Sequence, residues 1–413
     1  MPMLYNISRI ASGQFIAQLI LLVSLPFITR HYNPQEFGIF AVFSAIAWIL
    51  VSFSTGKLEA LIITMETKTK AAALTLGLLT IILIFSFVIF LISEILSAAL
   101  LLDLSLSSTH LSVLIGVTVF FIGGAQTLRC YATYLGHFSC HGIAAVLNSV
   151  GVISVALGYA TFIGGNSLFV GLILGQILGH LLSFIIFLCY TDIIRMTNIN
   201  IFKFSFFILT SQLKKIPVLL LTQLFSTLSA RMSTLIIFVV GGISSVGSLA
   251  IAERIISAPT SIFSQSVGQV VRHRYSQIYK IDNKNIIFPR RVIYLFSPLI
   301  VIGYGLIITL AHWFVPLVLG DQWKGAIVFV KVIAVMEMFN FIFYTVEDVA
   351  IIRDNYVYRM WSQFTQLSLL VIIYLLFEME IISFDVEVVL VLICFMRIVF
   401  VVYDLSKTWR KIS

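Results

Sequence analysis

Residues 71–93 read AAALTLGLLTIILIFSFVIFLIS, with no charged side chain anywhere in the stretch. Such a segment has no polar face to offer water, but it matches the roughly 20 apolar residues that a bilayer-spanning helix needs. Segments of the same kind recur outward from it in both directions. They lie near 12–31, 37–56, 71–93, 111–131, 142–163, 168–190, 217–240, 246–268, 291–312, 324–346, 360–377 and 386–404. Hydrophobic residues make up 60% of the 413 positions and charged residues 11%, where a soluble domain carries about a quarter charged. The chain therefore reads as an all-α polytopic membrane protein of about 12 transmembrane helices. Its longest gaps, 191–216 and 269–290, are too short for a separate catalytic domain. The opening MPMLYNISRIASGQ leads into a full-length apolar run that continues past Pro26 without a small-residue cleavage site, so it is expected to remain as the first helix.

The net charge of +8 is spread over many short loops, which argues against nucleic acid as a partner and for orientation in a membrane. Lysine and arginine collect at the termini and in the even-numbered gaps: Arg9, Lys57, Lys68, Lys70 and Arg129 early, then the basic stretches around 195–215, 272–291, 353–359 and 407–411. The odd-numbered gaps hold Arg30 and Lys324 with eight acids, among them Glu36, Asp321 and Glu387. That asymmetry predicts both termini in the cytoplasm and an even number of spans.

The basic, polar stretch after Tyr190 divides the chain into an N-terminal lobe, 1–205, and a C-terminal lobe, 206–413, each with six helices. Sliding the sequence by 209 positions puts Gln14 on Gln223, Phe37–Gly38 on Val246–Gly247 and Ala41 on Ala250. The match is faint, but an offset of six spans preserves orientation and agrees with two six-helix bundles in parallel repeat. Gly171, Gly175 and Gly179 repeat every four residues and read as a helix-packing face. His137, Cys140 and His141 lack a fourth ligand, and the four cysteines show no disulfide framework, so no metal and no cofactor are expected.

Ionisable residues inside spans are costly unless they face protein or water, so they mark candidate sites. Arg231, Arg254, Lys331 and Arg397 are of this kind, all in the C-terminal half. The first three lie nine, eight and seven residues from the outer ends of their spans, roughly 10–14 Å deep at 1.5 Å per residue. A cationic tier at one depth suits a diphosphate in transit. The competing reading makes these cations structural, paired with Glu253 and Glu337. Arg30 and Lys57, with Glu59, either line a cavity mouth or snorkel to the interface. Glu347 and Asp348 either carry a coupling proton or cation, or simply flank a helix end.

Several strings resemble a known family. SLPFITRHYNPQEFGIFAVFSAI (24–46) is similar to the opening of the O-antigen and polysaccharide flippases of the Wzx type. TGKLEALIITME (55–66) resembles their exit from span two. SSVGSLAIAERIISAPTSIFSQSVGQVVRHRYSQ (244–277) resembles their span-eight block, and VLGDQWKGAIVFVKVIA (318–334) the start of span ten. The resemblance implies membership of the multidrug/oligosaccharidyl-lipid/polysaccharide (MOP) exporter superfamily, with two bundles around a central cavity. It further implies transfer of an undecaprenyl-diphosphate-linked oligosaccharide from the cytoplasmic to the periplasmic leaflet of the bacterial inner membrane by alternating access, with H+ or Na+ as coupling ion. A polymerase and a chain-length regulator of the same pathway would be partners, alongside membrane lipids. Arg30, Lys57 and Arg254 match the family's basic positions. A small-molecule exporter of the same superfamily is one alternative. An integral-membrane polymerase or glycosyltransferase is another, disfavoured because the outward loops are short and no catalytic constellation is evident.

Overall fold

A computed structural model describes the backbone of residues 2–100, 108–164, 168–196, 216–281, 287–352, 356–379 and 385–410, with side chains chiefly over 12–92, 113–195, 220–258, 297–341, 360–377 and 385–403. Among the described residues there are helices and turns and no strand, as a chain must be when lipid cannot satisfy an open backbone. The helices are α1 (Pro2–His31), α2 (Pro34–Thr55), α3 (Lys68–Leu100), α4 (Ser108–Tyr134), α5 (Ser139–Gly158) and α6 (Phe169–Tyr190). A helical run, Ile216–Ile281, follows and is interrupted at Gly242; its arms are α7 (216–241) and α8 (243–281). The chain continues with α9 (Ile287–Leu319), α10 (Ala326–Ile352), α11 (Tyr356–Glu378) and α12 (Val386–Arg410). Ten helical segments of the described residues are long and apolar enough to cross a membrane, and one of them, Leu220–Ala258, straddles Gly242 and runs 39 residues. The chain is a multi-pass membrane protein, as its apolar periodicity implied.

Two departures from the sequence reading have local causes. The stretch 269–290, read as a loop, is mostly helix: α8 and α9 extend beyond their apolar segments into basic sequence that still carries good helix formers. Between α7 and α8 there is a single-residue break, where Gly242 adopts φ 70° and ψ −177°, a region open almost only to glycine.

The start of α2 shows how a short motif sets a helix. Asn33 Oδ1 accepts from the Glu36 N–H at 3.0 Å, and Glu36 Oε2 accepts from the Asn33 N–H at 2.8 Å. This reciprocal cap, with Pro34 at the first helical position, satisfies donors that no earlier turn can reach.

The chain forms two compact units: Met1–Tyr32 with Val42–Leu228, and Asn33–Ala41 with Ser229–Ser413. The first turns of α2 thus belong with the second unit. The expected lobe boundary at 205 lies outside the described residues. In the first unit, α5 and α6 meet along the glycine face: a Cβ at Gly175 would sit 2.6 Å from the Val152 carbonyl oxygen and one at Gly179 2.8 Å from that of Asn148. Tyr32, fully buried, donates its hydroxyl to the Ala156 carbonyl at 2.6 Å. A core of Ile62, Leu74, Leu78, Leu128, Tyr131 and Phe187 packs around the 3-10 turn η1 (Leu58–Thr64).

In the second unit the start of α2 crosses the start of α8 at backbone contact. A Cβ at Gly38 would lie 2.8 Å from the Ile243 carbonyl carbon, and one at Gly247 would lie 2.7 Å from that of Pro34. The contact is reciprocal under the 209-residue offset, since Pro34 maps onto Ile243 and Gly38 onto Gly247. Large apolar side chains exposed on α3 and α9, such as Phe87, Leu91, Leu299, Ile302 and Trp313, are the surface a hydrocarbon solvent requires.

Candidate functional site

The second unit gathers four charges from four helices. Glu253 of α8 lies within electrostatic reach of Arg397 of α12, Arg231 of α7 and Glu337 of α10. Glu337 is buried and accepts from Asn340 Nδ2 at 3.0 Å. Arg397 donates through Nη2 to the Ser229 carbonyl (3.0 Å), the Ala230 carbonyl (3.1 Å) and Ser233 Oγ (3.2 Å) of α7. Two guanidiniums and two carboxylates sum to zero, which is the arrangement that keeps charge tolerable away from water. Sequence reasoning undervalued Arg397; its importance depends on which face of α12 meets α7, which apolar sequence does not encode.

Arg254 is placed differently. Neighbouring residues on a helix point about 100° apart, so Arg254 turns away from the cluster that Glu253 joins. Its guanidinium carbon lies 6.0 Å from the centroid of the Phe37 ring, within cation–π range. Phe37 in turn meets the fully buried Trp323 edge-on, with centroids 5.3 Å apart at 83°. Among the described residues Arg254 makes no ion pair, and Lys331, half-buried on α10, makes none either. Arg231 and Arg254, placed in one tier by helix counting, therefore face different neighbours. Arg30 is exposed at the end of α1. The side chains of Glu347 and Asp348 lie outside the described residues.

The first unit holds a carboxylate and a cavity. Lys57 caps η1 in the left-handed region, φ 61° and ψ 13°, and two residues on Glu59 is 3% exposed. Glu59 Oε1 accepts from Gln126 Nε2 at 2.6 Å, while Oε2 is buried without a hydrogen-bond partner among the described residues. Burial raises the carboxyl above its usual range, and hydrogen bonds, including those from Gln126 and Thr55, and the nearby Lys57 charge offset this in part. Beside Gln126 lies a cavity of about 220 Å³ lined by α1, α2, α4, α5 and α6, including Gln14, Trp48, Arg129, His141, Asn148 and His180. The sequence trio His137, Cys140 and His141 resolves into local bonds: Cys140 Sγ donates to the His137 carbonyl at 2.8 Å, and His141 Nε2 lies 3.2 Å from Thr133 Oγ1. Among the described residues no three metal-binding side chains converge.

The profile of a family described as polysaccharide biosynthesis protein matches residues 27–328. No curated protein sequence matches the chain. Solved structures share its fold at low identity. The lipid II flippase MurJ in an inward closed conformation superposes with TM-score 0.68 and 13% identity, covering 98% of this chain and 89% of that one. An inward-facing multidrug resistance MATE family transporter of the MOP superfamily gives 0.65 and 15%, covering 97% and 94%. A MOP superfamily transporter from Pyrococcus furiosus gives 0.60 and 14%, covering 98% and 95%. With most of its length matched by the family profile and the fold of MOP transporters along nearly all of it, the chain belongs to the polysaccharide biosynthesis protein family, as its sequence resemblance implied.

Proposed function

We propose that this protein is a flippase. It carries an undecaprenyl-diphosphate-linked oligosaccharide, an O-antigen repeat unit for lipopolysaccharide assembly, from the cytoplasmic to the periplasmic leaflet of the bacterial inner membrane. The observation that carries the reading is Arg254, a half-buried guanidinium in a membrane helix that has no carboxylate among the described residues and rests on an aromatic ring. A charge retained at such a position needs an anion during the working cycle, and a diphosphate supplies one with bidentate geometry. Lys331 is the second such cation. The Arg231–Glu253–Glu337–Arg397 cluster has the composition of a coupling site, since proton or Na+ binding to a carboxylate would unbalance a neutral set. Alternating access, ion coupling, cytoplasmic termini and cooperation with a polymerase and a chain-length regulator complete the proposal.

The test is reconstitution in proteoliposomes with a fluorescent undecaprenyl-diphosphate sugar. Wild type moves label between leaflets, and Arg254→Ala with Arg231→Ala abolishes transfer while the protein stays inserted. Transfer at the wild-type rate by that double variant, or recovery of chemically altered lipid with no change of leaflet, refutes the proposal.

A further inference from the structure

The cavity of the first unit has a chemistry of its own. Arg129, on α4, projects its charge onto both His141 of α5 and His180 of α6. The described carboxylates of this unit are engaged elsewhere. Glu66 accepts from Lys70 at 2.6 Å, Asp192 from Lys68 at 3.0 Å, and Glu59 from Gln126 at 2.6 Å. Among the described residues Arg129 therefore makes no ion pair. The Glu59 bond also fixes how Gln126 stands at the cavity wall, because its Nε2 must face the carboxylate. Trp48 closes on His180 edge-on, with centroids 6.2 Å apart at 80°. Asn148 presents a further amide from α5.

One guanidinium, two imidazoles and four carboxamides line the cavity and make it rich in N–H donors, and no carboxylate is among its lining. A metal or organic cation would meet the Arg129 charge. A neutral polyol would leave the Arg129 charge without a counter-ion. A tetrahedral oxyanion suits the set, because a guanidinium fork binds two of its oxygens while ring and amide donors reach the others. The volume, about 220 Å³, far exceeds the roughly 15 Å³ that admits one water, so a phosphate group fits with part of its hydration. We propose that the cavity between α1, α2, α4, α5 and α6 is a binding site for a phosphate-class oxyanion, with Arg129 as anchor and His141, His180 and Asn148 as donors. The site goes beyond the flippase reading, whose proposed cargo cations Arg254 and Lys331 belong to the second unit, and either can stand without the other.

Its phosphate has two conceivable sources, a soluble ion or the head of a lipid, and the experiment separates them. The full-length protein in nanodiscs is titrated calorimetrically with inorganic phosphate and with pyrophosphate; in a third arm, thermal stability is followed as a prenyl diphosphate lipid is added to the disc. Saturable binding is expected in at least one arm. Arg129→Gln should weaken it at least about tenfold, the loss expected for a charge-assisted hydrogen bond, and Asn148→Ala should weaken it less. The surface variant Lys68→Ala should bind like wild type. Binding of the soluble ions, of the lipid alone, or of both supports the site and identifies the source. Arg129→Lys, which keeps the charge and loses the fork, serves if Arg129→Gln does not fold, and should also bind more weakly. Absence of saturable binding in all three arms overturns the proposal, as does binding that both Arg129→Gln (or Arg129→Lys in its place) and Asn148→Ala leave unchanged.

Discussion

Replacing Gly38 or Gly247 with alanine sets two opposing effects against each other at one helix crossing. Alanine is favoured over glycine inside a helix by about 0.8–1.0 kcal/mol. Against this, the added methyl at Gly38 would lie 2.8 Å from the Ile243 carbonyl carbon, and at Gly247 2.7 Å from that of Pro34. Carbon atoms settle at about 3.5–4.0 Å, so α2 and α8 must separate by roughly 1 Å. The obstructing atoms are backbone and cannot rotate aside. Overpacking of this kind costs about 1–3 kcal/mol, and here belongs near the upper end. Each single variant should therefore lose about 1–2 kcal/mol net. Gly303→Ala in α9, where a methyl meets nothing within 4 Å, isolates the propensity gain and should be neutral or stabilising. The assay is reversible thermal or denaturant unfolding of the purified protein in one detergent. Because both methyls open the same gap, the double variant should cost less than the two singles together. Equal stability of Gly38→Ala and Gly303→Ala, or full additivity of the pair, would refute the reasoning.

Other perturbations read different parts of the molecule. Gly242→Ala forces a Cβ into a backbone region that only glycine occupies freely, at a cost of about 1–3 kcal/mol, seen as a lowered midpoint in the same unfolding assay. Arg397→Met leaves Glu253 and Glu337 facing Arg231 alone and should destabilise by on the order of 3 kcal/mol. Adding Glu253→Gln should restore part of that loss, and a double variant no more stable than the single contradicts the cluster. Glu59 has its carboxyl raised by burial, so its protonated form suits the fold. Its contribution is full below the ordinary carboxylate range and fades as pH rises through the elevated value. Glu59→Gln should therefore flatten the fall in stability over that interval, measured as unfolding midpoint against pH, and an unchanged slope removes the inference.

The apolar segments were legible because a bilayer imposes length and hydrophobicity on every crossing, so α6 could be bounded within a residue, while α3 runs seven residues past its expected end at 93. The cap joining Asn33 to Glu36 went unread although it is local in sequence, because span two was bounded by hydropathy alone and set to begin at 37. What else escaped the sequence depends on rotation about helix axes. Arg397 reaches Ser229 and Ala230 across more than 160 positions, and Gln126 finds Glu59 across 67. Hydropathy assigns such residues a depth and not a neighbour, which is why Arg231 and Arg254 shared a depth on paper yet face different surroundings. The donor-lined cavity was missed for the same reason: five helices each contribute one to three polar residues, too sparse to register along any of them.

The crossing of α2 and α8 also bears on ancestry. Two segments that touch through corresponding residues, each presenting to the other what it receives, make the kind of isologous contact that sits on the axis of a symmetric homodimer. A chain that arose by fusing two copies of a six-helix gene would inherit that contact intact. Transplanting residues 243–247 into 34–38, and the reverse, should then disturb this junction far less than exchanging either with any other stretch of the protein.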